Sequence, residues 1–162
     1  MATAAFLIRR GEKQDVHFLR DMVRHSGLGR SGYPIDMEPP PLSRYVAGWG
    51  RAGDRSVVAL DDATGVAVGA AWYRLFTAAA PGYGYLDDAT PEVTIAVVPS
   101  RRNLGIGQAL LEAVIGEARA DGHARISLST RQGDAAIGLF EKLGFAAVET
   151  HGSAVTMALN LK

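Results

Sequence analysis

Residues 93–111, VTIAVVPSRRNLGIGQALL, leave few folds open to this chain. Val93, Ile95 and Val97 alternate with Thr94, Ala96 and Val98, a β-branched run closed by Pro99, which reads as a strand that stops. Apolar positions then recur at Gly107, Leu110, Leu111, Val114, Ile115 and Ala118, a single stripe on a helix of period 3.6. Only the short turn Arg101-Arg102-Asn103-Leu104-Gly105-Ile106-Gly107 joins the two.

Such a turn has the chemistry of a phosphate cradle. The first amides of a helix have no internal partner, and the macrodipole places roughly half a positive charge there. Gly105 and Gly107 remove side chains that would hold phosphate away, while Arg101 and Arg102 supply positive charge beside the same oxygens. Two better-known nucleotide motifs are excluded at this turn. Leu110 occupies the third glycine position of G-x-G-x-x-G, and no G-x-x-x-x-G-K-[ST] occurs.

The composition sets further bounds. A chain of 162 residues is the size of one domain and can bury roughly two thirds of its unfolded surface, so residues 1–162 are expected to form a single domain. Seventeen basic and seventeen acidic residues cancel, leaving no net field to recruit nucleic acid or an anionic membrane. The absence of cysteine removes disulfides, thiolate nucleophiles and Cys-based zinc sites, so no covalent intermediate on cysteine is possible. The N-terminus lacks a long apolar core behind a basic segment, which predicts a soluble, cytoplasmic protein. His17, His25, His123 and His151 show no ligand spacing, so no metal is expected.

In chain order, residues 5–10 read as a strand and 12–25 as a helix with Val16, Leu19 and Val23 on one face. The glycines and prolines of residues 26–43 predict a long functional loop, and a second short helix is expected over 42–50. Residues 56–61 and 65–76 form a predicted hairpin. A second Gly/Pro-containing loop, 77–91, leads into the central strand and could act as a lid. After the central helix, closed by Gly122, come a strand over 124–130, a short helix capped by Asp134 and ended by Gly144, and a closing hairpin of 145–149 with 154–159.

Val97, Pro99, Arg102, Gly105 and Gly107 match V-x-P-x-x-R-x-x-G-x-G, motif A of the GNAT superfamily of acyl-CoA-dependent N-acetyltransferases. Residues 125–145, RISLSTRQGDAAIGLFEKLGF, resemble the second half of that family, and the two stretches together cover about a third of the chain. The resemblance implies a mixed α/β fold, with a central, mostly antiparallel sheet of about seven strands flanked by about four helices. It also implies acetyl-CoA as cosubstrate, held where the central strand splays from the next, and attack by an amine on the thioester without an acyl-enzyme.

The residues follow from the same resemblance. Pyrophosphate is assigned to the backbone amides of Arg102, Asn103, Leu104, Gly105, Ile106, Gly107 and Gln108, and the pantetheine arm to backbone groups of Ala96, Val97 and Val98. Val97 or Val98 is expected to supply the oxyanion donor, with Val98 carried forward as the catalytic assignment. Glu92, heading the central strand, is the expected base, with Asp88 the alternative. Tyr83, Tyr85, Asp87, Asp88 and Trp72 are candidates for the acceptor side. The chain departs from the family at Phe140, where a proton-donating tyrosine is common, and at Gly133-Asp134, where an asparagine is common, so CoA contacts from Asp134 and Phe140 are expected in altered form.

The leading functional expectation is an N-acetyltransferase acting on the primary amine of a small molecule, with a homodimer among the allowed assemblies. A protein N-terminus or lysine is the alternative acceptor. A non-catalytic acyl-CoA-binding module is the alternative from another class, motivated by Phe140 and the missing asparagine.

Overall fold

The computed structural model describes residues 5–26 and 40–162. Seven strands, β1 (Phe6–Arg10), β2 (Arg55–Asp61), β3 (Ala67–Arg74), β4 (Glu92–Val97), β5 (Arg125–Arg131), β6 (Ala146–His151) and β7 (Ala154–Asn160), form one sheet in the order β1-β2-β3-β4-β5-β7-β6. All neighbours are antiparallel except β4 and β5, which are joined through helix α2 (Ile106–Ala120) and run parallel.

Each face of the sheet carries its own core. Ile106, Leu110, Leu111, Val114, Ile115 and Ala118 of α2 are buried on one face, with Phe140 of α3 (Ile137–Lys142) and Phe145 beside them. Five of the six α2 residues are stripe positions of the sequence, with Ile106 buried in place of the half-buried Gly107, and each fully buried leucine contributes about 1.5–3 kcal/mol. The other face holds Leu19 and Met22 of α1 (Val16–Met22) against Tyr45, Trp72, Phe76 and Tyr83. Strand β4 serves both cores. Val93 belongs to the α2 side and Ala96 to the α1 side, so Glu92, Thr94 and Ala96 face α1 while Val93, Ile95 and Val97 face α2.

The expected helix over 12–25 is divided into a 3-10 turn at Lys13–Asp15, α1, and a second 3-10 turn at Val23–His25. Over 42–50 only a 3-10 turn, Leu42–Tyr45, forms, because Gly48 and Gly50 take positive φ of 64° and 107°, which a helix cannot continue through. Most of the long loop expected over 26–43 lies outside the described residues. The hairpin turn after β2 is held by Asp61, whose Oδ1 accepts from the amides of Ala63 and Thr64. Asp134 is not the cap of α3: the cap position is Ala136, and Asp134 Oδ1 accepts from Ala136 N at 2.8 Å in the turn that leads into the helix. Phe145 N donates to Phe140 O at 3.0 Å, closing α3 behind Gly144.

Segment 44–54 is tied to β3 by a buried ion pair. Arg74 gives Asp54 two hydrogen bonds, 3.0 Å to Oδ1 and 2.7 Å to Oδ2, and two more to the carbonyls of Arg44 and Ala47. Its guanidinium also stands over the Trp49 ring at 5.3 Å. Each nitrogen of this buried cation is thus engaged, and Tyr45 is carried to a fixed place on the α1 face.

Candidate active site

The site begins where β4 and β5 part. Their parallel register has two pairs, Glu92 with Ser127 and Val93 with Leu128, and none beyond. A cleft of about 730 Å³ opens in the fork, walled by residues 93–97 of β4, the turn before α2, residues 128–131 of β5 and the α3 residues Leu139 and Phe140.

Pairing parity decides which β4 groups face this cleft. Val98 N donates to Val68 O at 2.9 Å on the β3 side, and in an antiparallel ladder such residues alternate with residues that point the other way. Pro91 O accepts from Ser127 N at 3.0 Å, which places the odd-numbered residues on the β5 side. The N–H and C=O groups of Ile95 and Val97 therefore point into the fork. This corrects the expectation for Val98: its amide is committed to β3 and is not a free oxyanion donor.

At the far end of the fork lies the glycine turn. Gly105 caps α2 at φ 85°, and Asn103 also takes the left-handed region at φ 65°. Arg102, Asn103, Gly105, Gly107 and Gln108 line the cleft, whereas Leu104 is exposed outside its walls and the Ile106 side chain is buried in the core. Arg101 is not a mobile cation. It is bound to Asp61 at 2.5 Å and holds that carboxyl below its ordinary range. Arg102 remains at the mouth, reaching Val97 O and His25 O at 3.4 Å each. The cradle thus joins unpaired helix amides, open glycine backbone and an arginine, a donor set that suits a polyanion.

Phe140 is 5 % exposed and contributes to the cleft wall, its ring edge-on to Phe145 with centroids 6.1 Å apart. Asp134 also reaches the wall, but both its carboxylate oxygens are engaged, by Ala136 N and by Thr130 Oγ1 at 3.1 Å.

Glu92 is 1 % exposed on the α1 face and outside the cleft walls. Its Oε2 accepts from the Tyr45 hydroxyl and its Oε1 from Gly84 N at 2.9 Å. Burial raises its pKa to about 7, with the two hydrogen bonds pulling the other way. The same burial, together with the Glu92 charge, pushes Tyr45 well above the ordinary phenol range. Tyr83 N donates to the Tyr45 oxygen at 2.7 Å, so strand, turn and loop meet at one carboxylate.

The acceptor-side candidates fall elsewhere. Trp72 is fully buried in the α1-side core, its Nε1 donating to Tyr45 O at 3.2 Å, and Tyr83 is buried beside it. Tyr85 donates to Asp88 at 2.5 Å, which pushes its phenol up to about 12. Asp87 is held by Arg125 at 2.7 Å and Thr90 at 2.8 Å, and these bonds lower its pKa. Tyr83, Tyr85, Asp87 and Asp88 belong to the loop that leads to Glu92, Trp72 belongs to β3, and none of the five lines the cleft. The sequence reading missed Tyr45, which carries no motif, and the wall residues His25, Thr94, Ser129 and Arg131.

Loop 77–91 is pinned across the start of the fork. Ser127 Oγ donates to Gly84 O at 2.7 Å, and a Cβ at Gly84 would sit 2.9 Å from the Leu128 carbonyl carbon and 3.1 Å from Ser129 N. Because those atoms are backbone, Gly84→Ala is expected to lift the loop and cost about 1–3 kcal/mol, read as a lower urea midpoint at unchanged m. An unchanged midpoint would show that the loop shifts freely.

The Acetyltransferase (GNAT) family model matches residues 19–145. No match is found among curated proteins. Among solved structures, yncA of Salmonella typhimurium, determined with its cofactor acetyl-CoA, is 24% identical over 98% of this chain and 95% of its own, with a TM-score of 0.70. The ribosomal-protein-S18-alanine N-acetyltransferase of Escherichia coli is 22% identical over 98% and 95%, with a TM-score of 0.67. A GCN5-related N-acetyltransferase of Kribbella flavida is 21% identical over 96% and 98%, with a TM-score of 0.66. The family match spans the fork, the glycine cradle and α3 together, and the chain belongs to the GNAT acetyltransferase family.

Proposed function

We propose that this protein transfers an acetyl group from acetyl-CoA directly to the primary amine of a small molecule, in a ternary complex. The observation that carries this reading is the fork itself, where the backbone of Ile95 and Val97, left without a β5 partner, runs up to the glycine cradle in one cleft. When bound, acetyl-CoA supplies an activated thioester carbonyl. Val97 and Ile95 can hold the pantetheine arm as a missing strand would, and one of their amides can stabilise the oxyanion. The amides of the turn before α2, with Arg102, can hold the pyrophosphate.

The amine must lose a proton around the time it attacks. Glu92 is assigned as the acceptor of that proton through water, since both carboxylate oxygens are engaged and it stands behind the cleft wall. A carboxyl with a pKa of about 7 is matched to neutral operation. The roofed position of Glu92 beneath loop 77–91 favours a small acceptor over an extended chain. Resemblance to the S18-alanine enzyme supports a protein N-terminus as the second reading. Thiol release from acetyl-CoA, measured against a panel of small amines and of short peptides, separates the two. Tight acetyl-CoA binding without transfer to any of them would favour a binding module.

Phe140 has no proton to give a departing thiolate. An ordinary thiol has a pKa of about 8.5, so the leaving group needs little help. Phe140→Tyr should therefore raise turnover by about tenfold at most, against the roughly hundredfold or more that a limiting acid would restore. A rise of hundreds in steady-state turnover would show that thiolate protonation limits the native protein.

A further inference from the structure

Three buried hydroxyls among the described residues have no hydrogen-bond partner: Ser56, Thr94 and Ser129. Two of the three, Thr94 at 2 % exposure and Ser129 at 7 %, line the walls of the fork. Buried hydroxyls are ordinarily satisfied, and one left open lowers stability unless something else occupies it.

Their placement is specific. Glu92 pairs with Ser127 in the parallel register, and residues paired in this way point to the same face. Gly84 touches both, giving its N–H to Glu92 and accepting at its carbonyl from Ser127 Oγ. One pleat further along each strand come Thr94 and Ser129, on that same face, at the first step where the strands no longer pair. Paired strands lie about 4.8 Å apart, and Thr94 and Ser129 stand at the first step past that pairing, so the gap between them is at least about that wide. An amine nitrogen that donates two hydrogen bonds of about 2.9 Å at a tetrahedral angle spans two oxygens about 4.7 Å apart.

We propose that Thr94 Oγ1 and Ser129 Oγ together accept the two N–H bonds of a neutral primary amine and aim its lone pair into the fork, at a carbonyl held by the β4 backbone. This rests on the acetyltransferase reading and deepens it, because it makes the site selective for primary over secondary amines: a secondary amine has one N–H and leaves one hydroxyl unpaired. When the lone pair forms the C–N bond, the nitrogen becomes cationic. It releases a proton towards Glu92 through water, and the C–S bond breaks with its electron pair leaving on sulfur. The two hydroxyls position the amine and are unchanged at the end.

The test uses Thr94→Val and Ser129→Ala in the full chain, with methylamine and dimethylamine as probes, thiol release as the rate readout, and calorimetry with acetyl-CoA. The wild type is expected to favour methylamine by tenfold or more. Each variant should lose tenfold or more in kcat/KM for methylamine, bring the preference to within about threefold, and keep its acetyl-CoA affinity within about twofold. Its Tm should be equal or higher, since an unsatisfied hydroxyl has been removed. A lower Tm would assign the hydroxyls to the fold, and a tenfold weaker acetyl-CoA affinity would assign them to the cofactor; either overturns the proposal. Equal rates with both amines in wild type and variants would overturn it while leaving the acetyltransferase reading intact. No transfer by the wild type to any amine, with acetyl-CoA bound, would overturn both.

Discussion

Gly107→Val should weaken acetyl-CoA binding by about a hundredfold or more, roughly 2.7 kcal/mol, while the melting temperature stays within a few degrees of wild type. The two effects separate because position 107 is open in the protein alone. A Cβ there would have only Leu139 Cδ2 and Val97 Cγ2 nearby, each at 4.0 Å, which is ordinary contact. Replacing glycine inside α2 also removes its helix penalty, so the fold is expected to gain a few tenths of a kcal/mol. The same side chain projects into the cleft wall between the turn and α3, where a phosphate must approach the helix amides closely. Gly105→Val is a poorer probe, because φ of 85° adds about 1–2 kcal/mol of backbone strain that would confuse binding with stability. Calorimetry on folded Gly107→Val decides the matter, and an unchanged affinity would place the pyrophosphate somewhere other than this turn.

That the cradle was legible in the sequence, and its neighbours were not, has a physical reason. A strand stopped by Pro99, two glycines and a helical stripe are local patterns, and each one survives in the structure at β4, the turn and α2. Gly144 and Phe145 are likewise readable, since a helix stop is settled within a few residues, whereas Asp134 stands two residues before the cap position and holds the turn instead. Val98 was misassigned because the direction of an amide depends on how β4 pairs with β3, and no feature of residues 93–98 carries that parity. Trp72, an aromatic on the third strand, and Tyr83, an aromatic in the loop before Glu92, both read as acceptor candidates, because the local sequence does not show what covers either ring. The Arg74–Asp54 pair, however, draws segment 44–54 over β3 and closes a second core around them. Arg101 was lost to Asp61, 40 residues earlier in the chain. Tyr45 stands 47 residues from Glu92 in sequence, on a turn without periodicity, so only the fold brings the phenol to the carboxylate.

The meeting of Tyr45, Gly84 and Glu92 yields the second large effect, a conflict between stability and turnover at one side chain. Glu92 has a pKa of about 7 in the folded protein against 4.5 for an ordinary glutamate, because burial disfavours its charge. A group whose folded pKa is raised binds protons more tightly when folded. Its contribution is therefore fully present below about pH 4.5 and is lost as the pH rises through about 7, on the order of 3 kcal/mol in all. Glu92→Gln removes the titration. Its amide cannot match both donors, since Gly84 N and the Tyr45 hydroxyl each seek an oxygen and glutamine has one, so a constant offset is expected. The informative quantity is the slope: wild type should lose stability between pH 4.5 and 8 relative to Glu92→Gln, by about that amount, in urea titrations. Over the same range turnover should move oppositely. Wild-type kcat/KM should climb with an apparent pKa near 7, as Glu92 becomes able to take the proton. Glu92→Gln should lack that limb and fall by about a hundredfold at pH 8. Parallel stability curves for the two proteins would place the carboxylate in water, contrary to its burial. A retained activity limb near pH 7 in Glu92→Gln would move the proton acceptor to another group, with Glu92 left as the clamp between the Tyr45 turn and loop 77–91.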